Sequence, residues 1–293
     1  MKFYFLHNHY IPPQIKNGSC SIKSVIVPEF YPDLNNVYLD DPCYFTSVEA
    51  YIKYVVQKGY YSDDISYAIE NSRIIDPKHI HETLFAYKKL GVKIIQLYCG
   101  SDNKFFCAST GLTFSGEQLL SEICETGLIL DLSHISDESV LNIAARYQGK
   151  MIISHCACSD LYSSQKPRSN SLTYSALCKL AEHIEVFGLP FLNDIIGSAE
   201  NELCPEKIFD DIIAQILTFT DTVGADKVAL APDYLDTGYF SRRFNTKLIF
   251  PDVLLKQDGL CTIANRLSES ISIEDVNRIL FSNVEKLLYE QVS

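Results

Sequence analysis

This chain of 293 residues lacks several features that mark other classes of protein. It has no run of about 18 apolar residues, so no membrane-spanning helix is expected. The N-terminal sequence MKFYFLHNHY does not have the pattern of a signal peptide, because His7 and His9 interrupt its short apolar run. None of the ten cysteines shows the C-x-x-C spacing of a structural zinc site. We therefore expect reduced thiols in a cytoplasmic protein.

Clusters of basic residues are missing as well. Lys and Arg together number 25 against 37 Asp and Glu, which gives a formal net charge of −12. A chain of this charge is not expected to bind nucleic acid or an anionic membrane surface. Its hydrophobic fraction of 47% and charged fraction of 21% are close to globular averages, so a folded protein is expected.

The chain has no glycine-rich G-x-G-x-x-G turn, no low-complexity tract and no visible internal repeat. What it does contain is an alternation of short apolar runs with helical patterns. Each apolar run has the length of a buried parallel strand. The eight predicted strands are Lys2–Leu6, Lys23–Val27, Ile65–Ile69, Lys93–Tyr98, Leu128–Leu132, Met151–Ser154, Val186–Phe191 and Val228–Ala231.

Helical periodicity separates these runs. The predicted helices are Ser47–Lys58, Pro77–Leu90 with Asp76 as its cap, Ser115–Thr126, Asp137–Tyr147, Leu172–His183, Pro205–Val223 and Ile273–Leu280. Residues 238–259 show no clear element. Eight strands alternating with helices predict an α/β protein with a (β/α)8 barrel, as one domain over residues 1–293. The competing arrangement is a doubly wound sheet, which usually has the glycine-rich first turn that is absent here.

Four of the seven histidines fall at or just beyond the carboxyl ends of predicted strands, and two carboxylates join them. The set comprises His7 and His9 after the first strand, Glu70 after the third, His134 after the fifth, His155 after the sixth and Asp233 after the eighth. In a barrel these strand ends lie on one face, where active sites form. The other histidines, His79, His81 and His183, fall in or at the end of predicted helices, and we expect them to be surface or capping residues.

The residue types at these positions suit a divalent metal. Residues i and i+2 of a strand face the same side, so His7 and His9 can hold one ion. Imidazole and carboxylate ligands suit zinc or another borderline ion, and Glu70 has two oxygens with which to bridge two ions. A water activated by such a centre is a nucleophile, and Asp233 is the candidate to receive its proton.

Four longer motifs carry a resemblance to a known family. They are GLILDLSHISDESV at residues 127–140, MIISHCACSDLYSSQKPRSNS at 151–171, VALAPDYLDTG at 228–238 and ISIEDVNRILFSNVEKLL at 271–288. Together they resemble the membrane dipeptidase (renal dipeptidase, peptidase M19) family. The resemblance implies a zinc-dependent hydrolase of the amidohydrolase type on a (β/α)8 barrel, which cleaves dipeptides and often forms homodimers.

The resemblance also implies roles for individual residues. Carried over by motif, they are His7 and His9 at the first metal, Glu70 as the bridging ligand, His134 and His155 at the second metal, Asp233 as the acid/base near the first metal, and Arg168 as the group that binds the substrate carboxylate. A guanidinium suits that last role because it forms two parallel hydrogen bonds with a carboxylate.

The chain departs from the family pattern at three places. The usual His-x-Asp is His7-Asn8-His9 here, and the usual Glu-Gly-Gly is Glu70-Asn71-Ser72. After the fourth strand, where the family has a histidine that polarises the substrate carbonyl, this chain has Tyr98-Cys99-Gly100. Tyr98 is the candidate substitute donor, and Cys99 is a poorer one.

The sequence therefore predicts a hydrolase with one or two zinc-type ions, acting on a peptide or amide bond in a dipeptide-like small substrate. Two alternatives stay open. One is a related metal hydrolase acting on a lactone, an amine or a phosphoester, because Arg168 would serve a carboxylate or a phosphate equally. The other is a barrel that has lost catalysis and binds a ligand or partner.

Overall fold

The computed structural model describes residues 1–9, 11–16, 18–27, 65–100, 102–161, 170–196, 204–234 and 250–290. The predicted helix at Ser47–Lys58 and the predicted substrate residue Arg168 lie outside these ranges. No helix in the described ranges combines the length and apolar character that crossing a bilayer requires.

Eight strands form the main sheet, and each overlaps one of the predicted strands. They are β1 (Lys2–Asn8), β2 (Ser21–Ile26), β3 (Ile65–Ile69), β4 (Val92–Gln96), β5 (Ile129–Asp131), β6 (Met151–Ile153), β7 (Val186–Leu189) and β8 (Val228–Leu230). They follow one another in the sheet in chain order, from β1 to β8. This is the order of a (β/α)8 barrel, so the predicted fold class is confirmed.

By its internal contacts the chain divides into two compact units. One unit comprises Met1–Ser24 and Ile153–Ser293, and the other is Val25–Ile152. In the first unit β7 pairs in parallel with β8, and beyond β8 the Asp233 N–H donates to the carbonyl of His7 in β1. In the second unit β3, β4, β5 and β6 pair in parallel in that order. That the chain is one domain stays a prediction.

Helices follow the strands, as the barrel pattern requires. The described helices are α1 (Pro13–Lys16), α2 (Ile80–Lys89), α3 (Phe114–Thr126), α4 (Asp137–Ala144), α5 (Tyr174–Leu180), α6 (Asn193–Ile196), α7 (Pro205–Val223), α8 (Gln257–Ser268), α9 (Ile273–Asn277) and α10 (Asn283–Tyr289), with a π-helical turn at Arg278–Ser282 between the last two.

The ends of α3 show why the local sequence folds as predicted. The Thr113 hydroxyl accepts a hydrogen bond from the backbone N–H of Gly116, which satisfies a donor of the first turn. Gly127 ends the helix with φ 68°, a left-handed conformation that glycine adopts without a Cβ penalty. Gly116 itself must be small, since a Cβ there would lie 2.1 Å from the carbonyl oxygen of Phe105.

Two helix predictions need correction. The helix predicted from Pro77 begins at Ile80 instead, because the Asp76 carboxylate accepts from the Lys78 N–H and closes a separate turn before it. No helix was predicted at residues 257–268, but α8 occupies Gln257–Ser268, and it begins inside the stretch 238–259 that was expected to show no clear element. Its buried residues recur at helical spacing, a signal that the sequence contained. They are Leu260, Ile263, Ala264 and Leu267.

Candidate metal centres

The unit made of Met1–Ser24 and Ile153–Ser293 brings together three of the predicted ligands. His7 is the second-last residue of β1, His9 follows that strand, and Asp233 comes shortly after β8. Asp233 Oδ1 lies 3.6 Å from Nε2 of His7 and 3.3 Å from Nε2 of His9. The three residues are 1%, 6% and 5% exposed. We call them the first cluster.

The distances within this cluster fit ligands around a cation better than direct hydrogen bonds. Where a histidine and a carboxylate of this protein pair directly, at His81 and Glu122, nitrogen and oxygen are 2.8 Å apart. Two ligands at 2.0–2.2 Å from one zinc ion and at a tetrahedral angle are about 3.3–3.5 Å apart. Asp233 Oδ1 is also buried and accepts no hydrogen bond from any described residue. The first cluster therefore fits a divalent cation.

The backbone around the first cluster is held by the residue between the two histidines. Asn8 Nδ2 donates to Ser24 Oγ at 3.0 Å, and Asn8 Oδ1 accepts from the backbone N–H of Tyr234 at 3.1 Å. Asp233 has φ 58°, a left-handed conformation that is rare outside glycine. These bonds fix the turn that presents the Asp233 carboxylate to both imidazoles.

Ser154 contacts the Nδ1 atoms of two histidines, His7 and His155. Ser154 Oγ lies 3.2 Å from Nδ1 of His7 and 2.9 Å from Nδ1 of His155, and the two rings are 4.2 Å apart between centroids. Because its Nδ1 is engaged by Ser154, His7 directs Nε2 toward Asp233. On β7, Gly188 permits this arrangement, since a Cβ there would lie 1.8 Å from the carbonyl oxygen of Ser154.

The unit Val25–Ile152 brings together two further predicted ligands. Glu70 follows β3 and His134 comes three residues after β5, with His134 Nε2 3.5 Å from Glu70 Oε1. Cys99, three residues beyond β4, lies beside both and completes a candidate group of three metal ligands. We call Glu70, Cys99 and His134 the second cluster. Its Glu70–His134 spacing again exceeds a direct hydrogen bond and matches two ligands of one ion.

Asn71 connects the segments that carry the second cluster. It has φ 73°, so it adopts a conformation that favours glycine at the position where the family pattern has one. Its side chain accepts from the Arg73 N–H and from Asn103 Nδ2, and it donates to the carbonyl of Cys99. Asn71 therefore holds a backbone conformation that favours glycine and makes three hydrogen bonds there.

The turn that carries His134 is similarly fixed. Asp131 Oδ1 accepts from both the backbone N–H and the hydroxyl of Ser133, at 3.0 and 2.8 Å. His134 then takes φ 66°. The candidate ligands Asp233 and His134 thus both have a positive φ, which a non-glycine residue keeps only when its surroundings hold it.

The other predicted site residues have different environments. Tyr98 is 8% exposed and packs edge-on against Phe106 at 5.1 Å between ring centroids. Burial, followed by the charge of Asp102, raises the pKa of Tyr98, so its phenol stays protonated at neutral pH. Arg168 lies outside the described residues. His81 is 60% exposed, as expected for a surface residue.

Sequence reasoning missed two contributors. Cys99 lies just beyond a barrel strand, as the predicted ligands do, so its place beside Glu70 and His134 had a signal in the sequence. Ser154 directly precedes His155, and no sequence pattern marks it as the residue that contacts two imidazoles.

Comparison with known proteins identifies a family. The sequence model of the membrane dipeptidase family (peptidase family M19) matches residues 65–292. A dipeptidase, tcpJ of Claviceps purpurea, is 21% identical over 211 residues, which cover 70% of this chain. The match spans 46% of that protein's length.

Solved structures share the fold over nearly the whole chain. A metallo peptidase from Rhodobacter sphaeroides, liganded with a phosphinate mimic of the dipeptide L-Ala-D-Ala, has a TM-score of 0.72 at 14% identity and 98% coverage of both chains. An amidohydrolase from Pseudomonas aeruginosa has a TM-score of 0.69 at 15% identity, covering 98% of this chain and 94% of its own.

Proposed function

Because the chain belongs to the membrane dipeptidase (peptidase M19) family, we propose that it cleaves a peptide or amide bond in a dipeptide-like small substrate. The family consists of metal-dependent hydrolases. The finer proposal concerns this chain's own substrate, its metal and the roles of its residues. Zinc is the proposed ion, because imidazole and carboxylate ligands at these spacings suit it.

One observation supports the proposal most strongly. Asp233 Oδ1 is buried beside two imidazole nitrogens at 3.3 and 3.6 Å, yet accepts no hydrogen bond from the described residues. A buried carboxylate oxygen without a hydrogen bond is costly unless a cation or another donor compensates it. The spacing favours the cation.

Each protein group then has a chemical task. A bound divalent ion polarises a carbonyl and lowers the pKa of a water. His7 and His9 contribute neutral imidazole nitrogens, and Ser154 holds the His7 ring in the required orientation. Asp233 presents Oδ1 to the same centre, and its second oxygen takes the proton of the attacking water and returns it to the leaving amine.

The remaining predicted residues complete the proposal. Glu70, His134 and His155 are proposed as further metal ligands. Tyr98 is the proposed hydrogen-bond donor to the substrate carbonyl. Burial raises the pKa of its phenol, which therefore keeps its proton. Arg168 is the proposed partner of the substrate's terminal carboxylate. The dipeptide mimic bound by the Rhodobacter protein is the substrate type that this arrangement would accept.

The experiment measures metal content and dipeptide hydrolysis together. Protein stripped with a chelator is reconstituted with Zn²⁺, analysed for metal, and assayed on L,L- and L,D-dipeptides that include L-Ala-D-Ala. We expect at least one bound equivalent and hydrolysis that depends on it. Asp233→Asn should lower kcat/KM by about 10²–10⁴-fold, the usual contribution of a general base.

Glu122→Gln is the matched control, because it also converts a histidine-paired carboxylate to its amide, in the pair of Glu122 with the exposed His81. Its activity should equal that of the wild type. Failure to bind any divalent metal would reject the enzyme proposal. Metal binding with turnover of lactones or phosphoesters, but not of dipeptides, would reject the peptide substrate and favour the related metal hydrolases.

A further inference from the structure

The second cluster contains a thiol that the predicted ligand set leaves out. Cys99 Sγ lies 3.4 Å from Glu70 Oε1 and 3.8 Å from His134 Nε2. The third side of the triangle, from Nε2 to Oε1, is 3.5 Å. Three donor atoms of different chemistry, from three consecutive strands, therefore lie at nearly equal distances from one another.

These distances match the ligand shell of one tetrahedral ion. With zinc–sulfur at about 2.3 Å and zinc–nitrogen or zinc–oxygen at about 2.0–2.2 Å, a sulfur lies about 3.5–3.7 Å from either other ligand. The same geometry places nitrogen and oxygen about 3.3–3.5 Å apart. All three observed separations agree with these values within about 0.3 Å, a difference that small rotations within the side-chain rotamers can supply.

The alternative arrangement, a nucleophilic thiol activated by a histidine, does not fit the contacts. In such a triad the nucleophile contacts one ring nitrogen and the carboxylate orients the other. Here Cys99 Sγ and Glu70 Oε1 both approach the same nitrogen, His134 Nε2. Because the carboxylate and the thiol both lie near the same ring nitrogen, the three atoms are arranged as ligands around one ion would be.

The backbone positions the thiol independently of the cluster itself. Asn71, next to Glu70, donates to the carbonyl of Cys99. Ser72 Oγ donates to the carbonyl of Leu97 at 2.7 Å, and Asn103 Nδ2 donates to the same carbonyl at 3.1 Å. The backbone segment that carries Cys99 is thereby tied to the segment that carries Glu70.

We propose that Cys99 is a metal ligand, so that Glu70, Cys99 and His134 form a carboxylate–thiolate–imidazole site. This inference rests on the proposed function, because it concerns the same kind of ion. When the sulfur–metal bond forms, the thiol proton is released to solvent. A thiolate is a soft ligand, so the site selects zinc or cobalt over magnesium, calcium or manganese.

The test uses a signal that only a sulfur ligand produces. Metal-free full-length protein is titrated with Co²⁺, and the near-ultraviolet thiolate-to-cobalt charge-transfer band is recorded beside the total bound cobalt. We expect the band in the wild type and its loss in Cys99→Ser, with cobalt affinity at this site reduced by at least about 10-fold. Cys107→Ser is the matched control, since Cys107 also lies beside a carboxylate, Asp102 at 3.0 Å, but outside the cluster.

A second measurement needs no variant. A thiol-modifying reagent is applied to wild-type protein with and without Zn²⁺, and peptide mass mapping identifies which cysteine the metal protects. Protection of Cys99 with unchanged labelling of Cys107 is the expected result. Bound cobalt without a charge-transfer band, a band that persists in Cys99→Ser, or unprotected Cys99 overturns the inference and leaves the proposed function in place. Absence of any bound cobalt or zinc overturns both.

Discussion

The two clusters are built from different parts of the fold. The first takes two histidines from one strand end and one aspartate from another, and all three are almost fully buried. The second takes one side chain from the end of each of three consecutive strands, and all three residues are half-buried. The first has only nitrogen and oxygen donors, whereas the second adds sulfur.

This difference determines how each cluster can fail. The first depends on the alternation of side chains along β1, so a change of strand register would displace both histidines at once. The second depends on three separate turns, which polar side chains such as Asn71 and Asp131 hold. A substitution that disturbs β1 should therefore leave the second cluster intact, and one that disturbs these turns should leave the first cluster intact.

The largest expected effect comes from Gly188→Ala, which acts on the first cluster. The added Cβ would lie 1.8 Å from the carbonyl oxygen of Ser154, a backbone atom that has to shift. We expect the free energy of unfolding to fall by about 3 kcal/mol, the upper range for an overpacked core. Because Ser154 orients His7 and His155, zinc affinity should also fall, while the cobalt band of Cys99 persists.

Gly116→Ala provides the control for this prediction. Its Cβ would meet another backbone oxygen, that of Phe105 at 2.1 Å, and neither Gly116 nor Phe105 belongs to a cluster. Denaturant unfolding should show a comparable loss of stability, and metal titration should show unchanged stoichiometry. An equal loss of zinc in both variants would mean that general destabilisation, and not the Ser154 contact, governs the first cluster.

The sequence was sufficient to predict most of the fold. All eight strands were found because buried parallel strands are short, continuous apolar runs such as Ile65–Ile69. Helix boundaries were less predictable where a side chain makes a competing local bond. Asp76 could cap a helix or close a turn, and only the structure shows that it accepts from the Lys78 N–H.

For the sites, the sequence indicated candidates but not their groupings. The i, i+2 spacing predicted that His7 and His9 act together, since it needs only the geometry of one strand. The distance between Cys99 and His134 depends on how far each turn extends beyond its strand, which no local pattern encodes. The positive φ of Asn71 was not predicted either, since asparagine adopts it far less often than glycine and only the structure shows it.

A paired substitution at Asn71 tests the second cluster with a smaller effect. Asn71→Gly keeps the left-handed backbone and removes three hydrogen bonds, whereas Asn71→Ala removes the bonds and also strains the backbone. We expect Asn71→Gly to cost about 1 kcal/mol of unfolding free energy and Asn71→Ala about 1 kcal/mol more. Denaturant unfolding measures both, and equal losses would show that the φ angle is not strained. Cobalt binding at Cys99 should weaken in both variants, with zinc binding at the first cluster unchanged.

The smallest effect concerns a histidine–carboxylate pair outside both clusters. The hydrogen bond from His81 Nδ1 to Glu122, together with the Glu122 charge, raises the pKa of His81. The contribution of this pair to folding stability is therefore present at low pH, below the pKa of His81 in the unfolded chain. It is lost as the pH rises through the pKa of His81 in the folded protein. Glu122→Gln should lower the His81 pKa toward its ordinary value, as an NMR titration of the ring would measure.

Zn²⁺ should leave the His81 signals in place while it shifts those of His7 and His9. A zinc-induced shift at His81 would mean that a direct pair of this kind also recruits metal, and the 2.8 Å spacing would no longer separate hydrogen-bonded pairs from ligand clusters.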